Sequence, residues 1–254
     1  MRLLLLAMLL GVLPATNALA GDFATCSQDA NINLKLAGCT RLIAVQPTLA
    51  AAYSSRGDAF STLGRVSEAI GDYSRAIELD PRLGVAIYNR GLAYLAGGNA
   101  QAALIDFDAA IAINAGDARA FNGRGMANAA LGALDAADAD FGKAIQLDPD
   151  YARAYLSRAT LSLRRRRFDD ANVDFDAVLR LHFGDPEALA GRLIADSKGE
   201  LLDTEVTSSA TKLTAVAGSA AGNEAAQLHS TALRKKHRQP ETPPETQLQI
   251  VLSR

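Results

Sequence analysis

Four blocks of 34 residues, beginning at Ala50, Gly84, Ala118 and Ala152, align without a gap. Their seventh position reads Arg56, Arg90, Arg124, Arg158, and their eighth Gly57, Gly91, Gly125, Ala159. The twentieth is Ala69, Ala103, Ala137, Ala171; the twenty-fourth Tyr73, Phe107, Phe141, Phe175; the twenty-seventh Ala76, Ala110, Ala144, Val178. Such a period marks an array in which each block is one supersecondary unit, too small to bury its apolar face alone, so that neighbours must stack. Each block holds two stretches of helical periodicity, for example Val85–Ala96 and Ala100–Ile113, separated by Gly97-Gly98-Asn99. The second stretch ends at Asp80-Pro81 and Asp148-Pro149, because Pro cannot continue a helix. Gly91 beside Ala103 permits a close crossing of the two helices, with Phe107 and Ile87 filling the wedge between them.

This spacing resembles the tetratricopeptide repeat: small at position eight, Ala at twenty, aromatic at twenty-four, small at twenty-seven and Pro at thirty-two. Pro47, Pro81 and Pro149 fill the last column. The resemblance implies an all-α, right-handed α-solenoid over 21–198, with a half-repeat at 22–49, repeats at 50–83, 84–117, 118–151 and 152–185, and a solvating cap helix at 186–198. Asp185-Pro186 opens that cap as N-cap and first-turn Pro. Departures are local. Ala115 and Phe183 replace the Pro, and Arg166 replaces the loop glycine seen as Gly64, Gly98 and Gly132.

Composition agrees with helices packed through small side chains: 49% of residues are hydrophobic but only 6% aromatic, with no Trp. A formal charge of −2 excludes a globally basic nucleic-acid binder and a disordered polyelectrolyte. At the N-terminus Arg2, the apolar run Leu3 to Leu13, Pro14 and Ala18-Leu19-Ala20 read as a signal peptide over 1–20, too short to span a bilayer as a helix. An uncleaved signal anchor is the alternative. The expected location is the periplasm, or otherwise the outside of the cell. Carrying the repeat register backwards puts Cys26 at position eleven and Cys39 at position twenty-four, on facing sides of one hairpin. In an oxidising compartment they are expected to form a disulfide worth about 3 kcal/mol, the alternative being two free thiols. Residues 199–254 lose the period and read as a low-complexity, disordered tail. Within it a short helix is conceivable over 225–236, and Arg234, Lys235, Lys236 and Arg238 form a basic cluster suited to an anionic surface. A recognition peptide at 247–252, able to fold back into the chain's own groove, is the functional alternative for the tail.

In the family that the repeats resemble, the concave face is lined by positions two, five, nine and twelve of the first helix. Here these are Ala51, Ser54, Asp58 and Ser61; then Val85, Tyr88, Leu92 and Leu95; then Arg119, Asn122, Met126 and Ala129; then Arg153, Leu156, Thr160 and Leu163. An apolar floor with two arginines suits an extended or helical peptide that carries an acidic group. The predicted binding residues are Val85, Tyr88, Leu92, Leu95, Arg119, Asn122, Met126, Arg153, Leu156 and Thr160. The plain alternative is that the leucines only pack helix on helix. Some relatives grip a terminal carboxylate with Lys and Asn at positions five and nine. Ser54 and Asp58 stand there, and although Asn89 and Arg119 match other columns of that clamp, the set is incomplete.

Asp72, Asp106, Asp140 and Asp174 follow the column of arginines by 16 residues, at the same height in an antiparallel hairpin. They are expected to form structural Arg–Asp bridges, worth about 0–1 kcal/mol if exposed; an arginine ladder for anions is the sharper alternative. Arg164-Arg165-Arg166-Arg167 reads as a solvated run that complements a helix C-terminus, and Asp138 with Asp140 as ordinary surface charges. No phosphate loop, dinucleotide fingerprint or His-Glu-x-x-His occurs, and His182, His229 and His237 are dispersed. The resemblance to the tetratricopeptide repeat implies a non-catalytic scaffold for protein–protein contacts, expected in the cell envelope, without cofactor, metal or nucleic acid. The alternatives are an enzyme or small-ligand protein with an unrecognised site, and a self-associating structural protein.

Overall fold

A computed structural model describes residues 20–28 and 30–198. The signal-peptide reading, apart from residue 20, and every reading placed on 199–254 lie outside the described residues. The described chain is built from helices α1 (20–27), α2 (Ile32–Val45), α3 (Ala50–Thr62), α4 (Val66–Leu79), α5 (Gly84–Ala96), α6 (Ala100–Ile113), α7 (Ala118–Ala130), α8 (Leu134–Leu147), α9 (Ala152–Arg164), α10 (Phe168–Leu181) and α11 (Pro186–Asp196). Each 34-residue block holds two helices, and the whole is an α-solenoid.

Local chemistry sets each turn. Gly64, Gly98 and Gly132 sit at φ of +71°, +78° and +80°, a region open to glycine without steric cost. Arg166 holds the same place at φ +55°. Between repeats the residue at position thirty-one shapes the connection. The side chains of Asp80, Asn114 and Asp148 accept hydrogen bonds from the backbone N–H of Arg82, Gly116 and Asp150 at 3.0, 3.0 and 3.1 Å. That turn explains why Ala115 can stand where Pro81 and Pro149 stand. Asn31, Asn99, Asp117 and Asp185 cap the helices that follow them through their side chains.

The core is a series of wedges. Tyr73, Phe107, Phe141 and Phe175 are all at most 2% exposed. Each ring presses on a glycine or alanine column. A Cβ on Gly57, Gly91 or Gly125 would lie 2.7, 2.9 or 2.6 Å from the ring of its own repeat. A Cβ on Gly123 would lie 2.5 Å from Phe107 of the repeat before, and one on Gly191 would press still harder on Phe175. Each of these two aromatics is therefore clamped between successive first helices, and the sixth column, silent in the repeat pattern, shares the task. In the half-repeat Cys39 takes the aromatic's place and is bonded to Cys26, with Cα atoms 4.5 Å apart. Both sulfurs belong to buried residues, and Gly38 lets α1 approach α2 beside them.

The expected Arg–Asp bridges form in all four repeats, half-buried, with the aspartate side chains only 4–10% accessible. Other expectations are corrected. Asp140 is accordingly a buried partner of Arg124, not a surface charge, because its column faces the neighbouring helix. The arginine run is not simply solvated: Arg165 pairs with Asp135, and Arg167 with Asp138. Both aspartates lie on α8, which the solenoid places beside the turn after α9. Finally, the cap helix exposes Leu189 and Leu193 along with its charges. In a complete repeat those positions would meet a second helix.

Candidate functional site

Successive first helices touch one another (α3 with α5, α5 with α7, α7 with α9, α9 with α11), whereas among the described residues no second helix reaches the next second helix. A stack that is tighter on one side curves toward it, so the first helices line the concave face. Positions two, five, nine and twelve thereby share one surface, but in unequal depth. Val85, Arg119 and Thr160 are exposed; Tyr88, Leu92, Leu95, Met126 and Arg153 are half-buried; Asn122 and Leu156 are buried. Leu156 packs with Ala159 and Phe175. Leu92 and Leu95 pack against Ala103, Phe107 and Ala127. These leucines form the floor, and the chemistry rises from it between the second and fourth repeats.

Tyr88 leans on Phe107, ring centroids 5.7 Å apart. The guanidinium of Arg119 lies 5.4 Å from the centre of the Tyr88 ring, within range of a cation–π contact. Arg119 is held there by Asp117, to which Nε and Nη2 donate at 3.0 and 2.8 Å. Burial alone would raise the Asp117 carboxyl, but the hydrogen bonds and charge of Arg119 outweigh it and hold the pKa below its ordinary value. Burial pushes both the Tyr88 and Tyr151 phenols up, with Arg119 and Arg153 pulling the other way. The four side chains are thus close enough to feel each other's charge. Tyr151 and Asp117 were not singled out by sequence. Both occupy position thirty-four, just before a first helix, and a polar or aromatic residue there, against Leu83 one repeat earlier, is the signal that marks them.

Asn122 sits under this group, 2% exposed. Its Oδ1 is buried with no hydrogen-bond partner, and its Nδ2 donates to the Met126 sulfur at a long 3.6 Å. The side chain also hydrogen-bonds the Tyr151 phenol, which leaves the amide oxygen as its unsatisfied group, costly unless something supplies a donor.

The first repeat is built differently. Asp58, at position nine, accepts from the Tyr73 hydroxyl at 2.8 Å and from Asn89 Nδ2 at 2.9 Å. A carboxylate of the chain itself engages the asparagine that a terminal-carboxylate clamp would use.

This geometry has counterparts among known proteins. A family profile described as "TPR repeat" matches residues 57–98, and one described as "Tetratricopeptide repeat" matches 118–151. No curated protein matches the chain. Among solved structures, MamA from Desulfovibrio magneticus RS-1 is similar at 21% identity over 63% of this chain and 91% of that one, with a TM-score of 0.57. A double mutant of MamA RS-1 is similar at 20% identity over 66% and 96%, again with a TM-score of 0.57. YrrB, described as a TPR protein with an unusual peptide-binding site, is similar at 21% identity over 64% and 84%, with a TM-score of 0.53. These likenesses are likenesses of fold.

Proposed function

The chain is a tetratricopeptide-repeat protein, and on that premise we propose that it is a non-catalytic scaffold whose concave groove binds an extended, acidic segment of a partner protein. Asn122 carries the reading. Its amide oxygen lacks a hydrogen-bond partner, and the backbone N–H of a segment laid in the groove would supply one. Arg119 and Arg153 flank it to receive acidic side chains, and Tyr88 and Tyr151 offer flat faces for the segment to lie on. Asp58 repels acids at the other end, so the acidic part of the segment lies over the third and fourth repeats. YrrB, a protein of similar fold described as having a peptide-binding site, is consistent with this use of the groove.

The protein works outside the cytosol, by export through residues 1–20. The buried Cys26–Cys39 bond supports this, since such bonds persist in oxidising compartments.

Selection of peptides from a random library by the full chain, followed by calorimetry, tests the groove. Acidic sequences should be enriched. Asn122→Ala and Arg119→Glu should each weaken the selected peptide about tenfold or more, as loss of a buried or charge-assisted hydrogen bond implies. Equal binding by both variants would move the site off the groove.

A further inference from the structure

Column by column, the junction between the third and fourth repeats departs from the two before it. At position twenty-one of the preceding second helix stand Ile70 and Leu104, then Asp138. At position eleven of the following first helix stand Tyr94 and Asn128, then Ser162. At position twenty-five of the preceding second helix stand Ser74 and Asp108, then Gly142.

This last column has a constant task elsewhere. Arg90 Nη1 donates to Ser74 Oγ at 3.0 Å, and Arg124 Nη1 to Asp108 Oδ1 at 2.8 Å. Arg192 Nη1 meets Asp176 Oδ1 at 2.8 Å. Gly142 offers Arg158 Nη1 no such acceptor. Where Asp138 stands in place of Ile70 and Leu104, and Ser162 in place of Tyr94 and Asn128, an open cleft with a volume of about 270 Å³ is lined by Asp138, Arg158, Ser162, Arg167, Asp170 and Asp174 together with Val173. That is room for a molecule rather than a single water.

The cleft has a donor left over. Arg158 spends Nε and Nη2 on Asp174, at 2.8 and 2.7 Å. Arg167 is committed within the wall: Nη2 donates to Asp138 at 3.0 Å and to Ser162 Oγ at 3.4 Å, and its buried Nε is ion-paired with Asp170 Oδ2 at 3.6 Å. Acceptors also remain, since Asp170 and Asp138 keep lone pairs beyond these contacts. A simple anion would meet three carboxylates here, and a simple cation two guanidiniums. A molecule bearing both signs a short distance apart matches both.

We propose that this cleft binds a small zwitterion of the free α-amino-acid type. The carboxylate lies on Arg158 Nη1, and the ammonium faces Asp138 and Asp170. The site is formed by α8, α9 and α10, so it does not depend on the concave groove being occupied. Two of its lining residues, Asp138 and Ser162, stand where the repeat is broken, and Gly142 leaves Arg158 Nη1 without the acceptor that Ser74 and Asp108 supply to Arg90 and Arg124.

Calorimetric titration of the full chain with glycine, L-serine and L-glutamate tests the proposal, with acetate and ethylammonium as single-charge controls. At least one amino acid should bind saturably and more tightly than acetate, and ethylammonium should not bind. Gly142→Asp restores the acceptor seen at Asp108 and Asp176. An ideal Cβ there meets only Arg158 Nη1, at 3.9 Å, so the side chain fits. This variant should weaken the amino acid about tenfold or more, as one charge-assisted hydrogen bond implies. Gly142→Ala, which brings no acceptor, should bind as the parent does, and circular dichroism verifies that both variants are folded. Saturable binding by none of the three amino acids, acetate binding as tightly as they do, preference for ethylammonium, or Gly142→Asp binding unchanged would each overturn the proposal.

Discussion

Arg124 offers an internal comparison, because one guanidinium serves two carboxylates of very different burial. Toward Asp140 it donates from Nη2 at 2.6 Å and Nε at 3.0 Å, a bidentate pair whose aspartate side chain is 8% exposed. Toward Asp108 it donates from Nη1 at 2.8 Å, but that aspartate is 56% exposed. Arg124→Ala leaves the Asp140 carboxylate buried with only Asn128 Nδ2, at 2.9 Å, to satisfy it. The cost should be about 3 kcal/mol, the low end for a broken buried pair. Asp140→Ala leaves a guanidinium that can still reach water and Asp108, and should cost about 2 kcal/mol. The coupling energy of Arg124 with Asp140 should then be roughly 1.5–3 kcal/mol, against about 0–1 kcal/mol for Arg124 with Asp108. Urea unfolding of the parent, the three single variants and the two double variants measures both cycles, provided the slope with denaturant stays constant across the set. A coupling with Asp140 below about 0.5 kcal/mol, or equal to that with Asp108, would refute the claim that burial gives this column its strength.

Four further outcomes follow from the same geometry. Gly125→Ala should destabilise by about 1–3 kcal/mol despite a better helix propensity, because its Cβ would lie 2.6 Å from Phe141; Phe141→Leu in the same chain should recover part of the loss in thermal unfolding. Arg166→Gly should stabilise the fold by about 1 kcal/mol, read as a higher urea midpoint at constant slope, since Arg166 holds a left-handed φ of +55° that glycine adopts freely. Replacing both Cys26 and Cys39 by Ser should cost about 3 kcal/mol in the chain-entropy picture, measured by denaturant unfolding against the oxidised parent. Burial raises the phenols of Tyr73, Tyr88 and Tyr151, so the folded chain keeps protons that the unfolded chain releases. Stability should be intact below about pH 10 and fall above it by about 1.4 kcal/mol per pH unit for each such tyrosine, with phenolate absorbance rising together with loss of helix.

What a linear sequence can determine here is the part that depends on period. The 34-residue spacing, the small residues at eight and twenty and the aromatic at twenty-four specify pairs of helices, their boundaries and the need to stack, because each is a rule about neighbours along one or two helices. The pairing of Arg56, Arg90, Arg124 and Arg158 with aspartates 16 residues on was legible for the same reason, as was the facing of Cys26 and Cys39. Depth was not legible. That the aspartates are buried, that Asn122 and Leu156 lie under the groove while Val85 and Thr160 stand on it, and that Asp58 is engaged by Tyr73 and Asn89 are decided by how one repeat is set against the next. The aromatic rings show this best: Phe107 is held by Gly91 of its own repeat and by Gly123, the sixth position of the following one, a contact that no single block contains. The same holds for the cleft beside Arg158, which Asp138 and Ser162 line from two repeats that only stacking brings into contact.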